Sequence, residues 1–233
     1  MFIRRACCAA SIFALAACAS NGNTGEPSGQ PTSQQAEPDY SNADIANIAK
    51  VKSGFGPQFR VTEVPRTGID PRLLTPQRVP PGLTFDPADC AKLATGQVLP
   101  PDLKGNMAAT SAEGEGNRFI AIAVETSAPV PITDPGQGCR KVAFTGPSLS
   151  GLVELVDAPQ IDGVHTIGIR RMVQTTIAGQ TRTGEVYNYV AGFGPFLVIV
   201  TANALVQPGQ PVGPVNTQRA EELVTAAVAA VKG

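Results

Sequence analysis

The sequence predicts an α+β fold: an antiparallel β-sheet with helices packed on it, forming a single domain behind a signal peptide and a disordered linker. Three patterns carry that prediction. Val164 to Ala191 reads as two strand-like runs meeting at Gly179-Gln180, the strongest hairpin signal in the chain. Thr217 to Val231 repeats small aliphatic residues at helical spacing. With 24 glycines, 21 prolines and no tryptophan among 233 residues, the rest reads as short strands and turns around a Val/Ile/Leu/Ala core.

The N-terminus is a leader. Arg4 and Arg5 precede the apolar run Ala6 to Ala17, broken only by Ser11, and Leu15-Ala16-Ala17-Cys18 has the form of a lipobox. The run falls well short of the ~20 residues that span a bilayer, so it is expected to be cut away. Cys18 is then the lipidation site, its thiol carrying a diacylglyceryl group as a thioether. Each buried methylene would hold the chain to the membrane by roughly 0.8 kcal/mol. The predicted organisation is residues 1–17 as signal peptide, 18–40 as lipidated linker and 41–233 as folded domain. The spacer Ala19 to Pro38 has no aliphatic residue larger than alanine, too little apolar surface to offset the entropy of ordering.

Ser41 to Lys52 is expected to be a short helix capped by Ser41 or Asn42, with Ile45 and Ile48 on one face. Gln58 to Val64 reads as a strand, and Pro65 to Pro81 as an ordered loop. Asp86-Pro87-Ala88-Asp89-Cys90 looks like a helix start: Asp86 as cap, Pro87 in the first turn, Asp89 facing the dipole. Gly96 ends that helix. Asn117 to Thr126 alternates with both faces apolar, as a central strand does, and Pro129 to Gly138 is a connection. Cys139 opens a strand over Arg140 to Thr145, and Gly151 to Val156 is another.

In the long hairpin, Gly179 at the first turn position pairs Val173 with Val186 and Ile169 with Val190, facing the core. The opposite face then pairs Arg170 with Tyr189 and Met172 with Tyr187. Phe196 to Thr201 is a further central strand. The last helix is capped by Asn216 or Thr217. Five to seven strands are expected in all.

Five cysteines occur. Cys7 and Cys8 leave with the leader and Cys18 takes lipid. Cys90 and Cys139 are an even pair in an oxidising compartment, which favours a disulfide, the alternative being two separate buried thiols.

Net charge is −1 with no long basic run, which argues against nucleic-acid binding. One histidine, His165, is too few for a histidine-based zinc site, and neither a metal nor a cofactor is expected. Gly146-Pro147-Ser148-Leu149-Ser150 departs from the nucleophile-elbow pattern in its last residue, so no catalytic residues and no enzymatic activity are expected. Arg170, Met172, Tyr187 and Tyr189 form the candidate ligand face, a cation beside two phenols and a thioether; the competing reading is a sheet face covered by a helix.

The order of lipobox, spacer, helix-borne Cys90 with strand-borne Cys139, long hairpin and final Ala/Val helix resembles mycobacterial and other actinobacterial cell-envelope lipoproteins. From about Ser41 or Asp86 onward the chain resembles the extracellular sensor-like domain of the receptor kinase PknH. That domain has two cysteine pairs and this chain has one. The chain is also similar to the LpqN-type lipoproteins, with their helix-sheet-helix sandwich. These resemblances imply a binding or sensor-like module on the extracytoplasmic face of the membrane, held through lipid on Cys18. Its ligand would be an envelope small molecule, glycan or lipid; the alternative is an accessory protein that docks another envelope protein.

Overall fold

Among the described residues, nine antiparallel strands make one open sheet in the order β1-β3-β4-β9-β8-β7-β6-β5-β2. They are β1 (Arg60–Gly68), β2 (Thr84–Asp86), β3 (Gly105–Gly114), β4 (Asn117–Thr126), β5 (Lys141–Thr145), β6 (Leu149–Val156), β7 (His165–Ile177), β8 (Gln180–Phe193) and β9 (Phe196–Ala204). The helices are α1 (Ala91–Thr95), which continues a 3-10 turn at Ala88–Cys90, and α2 (Thr217–Lys232); a 3-10 helix spans Ile45–Gly54. The structure is a computed structural model and describes residues 39–69, 82–95, 103–177, 179–206 and 212–233. The leader, Cys18, most of the linker and the stretch 70–81 lie outside the described residues.

One face of the sheet carries the larger core. Phe119, Ala121 and Ala123 of β4, Tyr189 and Ala191 of β8, and Val198, Val200 and Ala202 of β9 meet α2 and the Ile45–Gly54 helix. On α2, Ala220, Leu223, Val224, Ala227, Val228 and Val231 are all buried, the stripe expected from their spacing. Alanines on both sides of that contact bring helix and sheet backbones close, which suits a core with no tryptophan. The cap of α2 is Asn216, whose side chain accepts from the Arg219 amide at 3.0 Å.

Several expectations are corrected. The first helix is 3-10, and Asp44 caps it by accepting from the Ala46 amide. Ile45, Ile48 and Val51 are its buried residues. They recur every three positions, so three residues per turn keep them in one strip. Asp86 makes no cap: it ends β2, and the chain enters the next turn through a cis Asp86–Pro87 bond. Cys139 closes a 3-10 turn at Gln137–Cys139, just before β5. The strand expected to end at Val64 continues to Gly68, with a register break between Val64 and Thr67 around Pro65. A proline and an irregular ladder suit this position, because β1 is a sheet edge.

The strand count exceeds the expectation because β2 and β3 gave no strand signal. β3 reads Gly-Asn-Met-Ala-Ala-Thr-Ser-Ala-Glu-Gly, poor in strand formers. It is held by ten paired positions with β4 and by Thr110, whose hydroxyl donates to the Ile48 carbonyl at 3.2 Å.

The long hairpin forms with a shifted register. Pairing closes at Ile177↔Gln180, with Gly179 in the turn at φ +77°. Arg170 therefore faces Tyr187, and Met172 faces Glu185. The slip is two residues, so every side chain stays on its expected face. The assignment of faces is what changes: the Tyr189 face holds the larger core, and the Ile169 face holds the second layer.

Candidate binding cleft

The second face of the sheet is covered in two places. At one, Cys90, Leu93 and Ala94 pack on Val142, Phe144 and Val153 of β5 and β6. At the other, Val130 packs with Met107, Val124 and Leu197, and Ile132 joins them. Gly192 lets Ile132 descend this far, since a Cβ there would meet Ile132 Cδ1 at 2.9 Å. Asp134 shapes the same loop by accepting from the Gly136 amide at 2.8 Å.

Between the two coverings lies a cleft of about 640 Å³. Its floor is Ile167, Ile169 and Val190, and its walls include Leu93, Ile132 and the Cys90–Cys139 disulfide. Asp89, Lys92, Thr95, Thr133 and Asp134 supply its polar atoms. The disulfide spans 5.3 Å between Cα atoms and 49 positions of sequence, joining the turn before α1 to the turn before β5. It fixes the wall of the cleft, because α1 has five residues and too few turns to hold a position unaided.

Arg170, Met172, Tyr187 and Tyr189 do share one face, on the other side of the sheet, but no open pocket forms from all four. Tyr189 is 2% exposed beneath α2, and its hydroxyl donates to Glu221 at 3.1 Å. Arg170 is held between Glu154, at 2.7 Å, and Glu185, and stacks 5.9 Å from the Tyr187 ring. The Tyr187 hydroxyl also donates to Glu185 at 3.2 Å. Hydrogen bonds to Glu154 and Glu185 stabilise the charged guanidinium and raise its pKa above the ordinary value. Tyr189 is thus covered by α2, while Arg170 and Tyr187, both half-buried, are paired with carboxylates of the protein itself.

Ser148 and His165 stand at opposite ends of the sheet. The Ser148 carbonyl meets the Thr176 amide, whereas His165 pairs with Gly192. Thr176 lies eleven positions along β7 from His165, roughly 36 Å at the usual rise, so these two groups form no catalytic pair. Among the described residues no cluster of three or more His, Cys, Asp or Glu is placed to hold a metal, and no helix is long and apolar enough to cross a membrane.

A family model described as a domain of unknown function, DUF5642, matches residues 44–232. The chain belongs to this family. A solved structure of the DUF5642 chain's relative in Mycobacterium smegmatis, an uncharacterised protein titled the Rv0999 ortholog, is 58% identical to it. The alignment covers 84% of this chain and 100% of that one, at a TM-score of 0.79. The extracellular domain of PknH from Mycobacterium tuberculosis also aligns, with 13% identity, 80% of this chain and 91% of that chain covered, and a TM-score of 0.35. It is the domain the sequence resembles. A search of curated proteins returned no match.

In the DUF5642 chain, burial first and then the Glu221 carboxylate push the Tyr189 phenol above its ordinary range. The folded state therefore keeps a proton that the unfolded state releases near pH 10. That stability is complete below about pH 10 and is lost as pH rises further. Tyr189→Phe keeps the ring and removes the titration. Urea midpoints measured at pH 8 and above pH 10 should fall less for Tyr189→Phe than for the parent; equal falls would show that Tyr189 does not titrate as its burial demands.

Proposed function

We propose that this DUF5642 protein is a lipid-anchored, non-enzymatic binding module on the extracytoplasmic face of the membrane, and that its ligand occupies the cleft between α1 and the 130–139 loop. The observation that carries the reading is the cleft itself: an apolar floor on the sheet, polar groups at the margin, and a disulfide holding one wall. A mostly apolar concavity with a few polar groups is the usual form of a small-molecule site. An oxidised cysteine pair supports an oxidising compartment, and the lipobox at Cys18 supports the anchor. Docking of another protein finds less support. Among the described residues the exposed large apolar side chains are Val64, Val206 and Val212, and the first is remote in sequence from the other two.

The cleft is tested with a neutral fluorescent probe, N-phenylnaphthylamine. The purified protein should enhance its emission, and Ile167→Trp, which fills the floor with an indole, should abolish the enhancement while the protein stays folded. Equal enhancement in both proteins would remove the cleft from the reading. Mass spectrometry of the membrane-extracted protein tests the anchor separately: an unmodified Cys18 would refute it and leave the cleft standing.

A further inference from the structure

The cleft separates its apolar lining from its polar lining. Ile167, Ile169 and Val190 form the floor, and Leu93 and Ile132 stand in the walls. None of these five side chains donates or accepts a hydrogen bond. The backbone of the floor offers none either. Ile169 is paired with Leu155 and Asn188, and Val190 with Ile167 and Ile199. Strands flanked on both sides commit their amides and carbonyls to the ladders. Among the described residues that line the cleft, none is aromatic.

A glycan seated on this floor would bury hydroxyls without partners, each at a cost in free energy. A flat aromatic ligand would find no ring to stack on. A hydrocarbon chain has no polar atom to satisfy and gains from every methylene it covers. The margin differs. Asp89, Lys92, Thr133 and Asp134 are exposed and Thr95 is half-buried. They supply both donors and acceptors, as hydroxyl groups on a ligand require. Two carboxylates against one ammonium leave no surplus of positive charge to hold an anion.

We propose that the cleft takes an uncharged amphiphile, with its hydrocarbon chain on Ile167, Ile169 and Val190 and a hydroxylated head group at the margin. This rests on the cleft reading above and adds the class of ligand.

Displacement of N-phenylnaphthylamine by maltose and by monomeric hexyl, octyl and decyl maltoside reads the chain at constant head group. Maltose should displace nothing, and each added methylene should improve displacement about fourfold. Displacement by maltose itself, or equal displacement across the series, would overturn the chain assignment and leave the cleft standing. Ile169→Asn puts an amide on the floor and should weaken decyl maltoside about tenfold. Undiminished affinity in the folded variant would place the chain elsewhere and overturn the assignment too. The series in the parent protein needs no variant, so a misfolded Ile169→Asn would not rescue the idea. Decanoate should displace the probe no better than decanol; an advantage of about tenfold or more for the anion would overturn the uncharged head group. Failure of the probe to bind at all would instead remove the cleft reading, and this proposal with it.

Discussion

Replacing Cys90 and Cys139 together by serine is expected to lower the unfolding free energy by about 2–4 kcal/mol, as removal of a disulfide closing a loop of this length does. The effect should be uneven across the molecule. The link joins the turn before α1 to the turn before β5. Without it, α1 is held by the small cluster of Leu93 and Ala94 on Val142, Phe144 and Val153, and by one hydrogen bond from Arg171. Five helical residues have little stability of their own. The amides of 88–95 should therefore exchange with solvent well ahead of those of β4 and β9, and probe binding in the cleft should fall even where the sheet remains folded. Urea unfolding, hydrogen exchange and the probe assay on the same variant check the three parts. Parental exchange at 88–95 would show that packing alone positions α1 and that the disulfide is redundant there.

Much of this architecture is legible in the chain because local pattern and tertiary role agree. The α2 stripe, the two-faced apolar alternation of β4 and the long hairpin all follow from residue periods. β3 is illegible for the opposite reason. Its alanines, serine and asparagine favour no strand, and it is a strand because β1 and β4 flank it and small side chains admit the Ile45–Gly54 helix. The hairpin shows how far a turn rule reaches. Placing Gly179 first or second in the turn moves the register by two, which preserves faces and changes partners.

The candidate cleft is less legible in the sequence than the fold. Arg170, Met172, Tyr187 and Tyr189 look like a ligand face in one dimension, because nothing local reveals that Glu154, Glu185 and Glu221 approach from β6, β8 and α2. The cleft is assembled from a linked helix, a loop and alternate positions of two strands, none adjacent in sequence. Arg171 is indistinguishable from Arg170 by type. Only the side of the sheet separates a cation with two carboxylates from one with none among the described residues. The cysteine pair is legible as a disulfide, but its place in the wall of the cleft is seen only in the fold.

Phe119→Ala is expected to cost more stability than any change at the cleft, about 3–5 kcal/mol as for truncation of a fully buried phenylalanine. The Phe119 ring is 1% exposed, and Phe55 and Phe59 lie 6.1 and 6.2 Å from it, centroid to centroid. Arg219 of α2 caps those two rings at 5.7 and 4.9 Å. Truncation therefore leaves a void where β4, the chain after the first helix and α2 meet. Phe119 lies on the face of the sheet opposite the cleft, so Phe119→Ala should leave probe binding unchanged wherever the protein is folded. The cysteine variant should lose binding at a smaller cost in stability. Combining Phe119→Ala with the two serines should give losses that add to within about 0.5 kcal/mol, as for sites sharing no partners. An unfolding free energy lowered by less than about 1 kcal/mol in Phe119→Ala would mean that the aromatic group is not the anchor of this layer. Marked non-additivity would mean that the two faces of the sheet are energetically one, and that a ligand bound in the cleft is felt by the packing of α2.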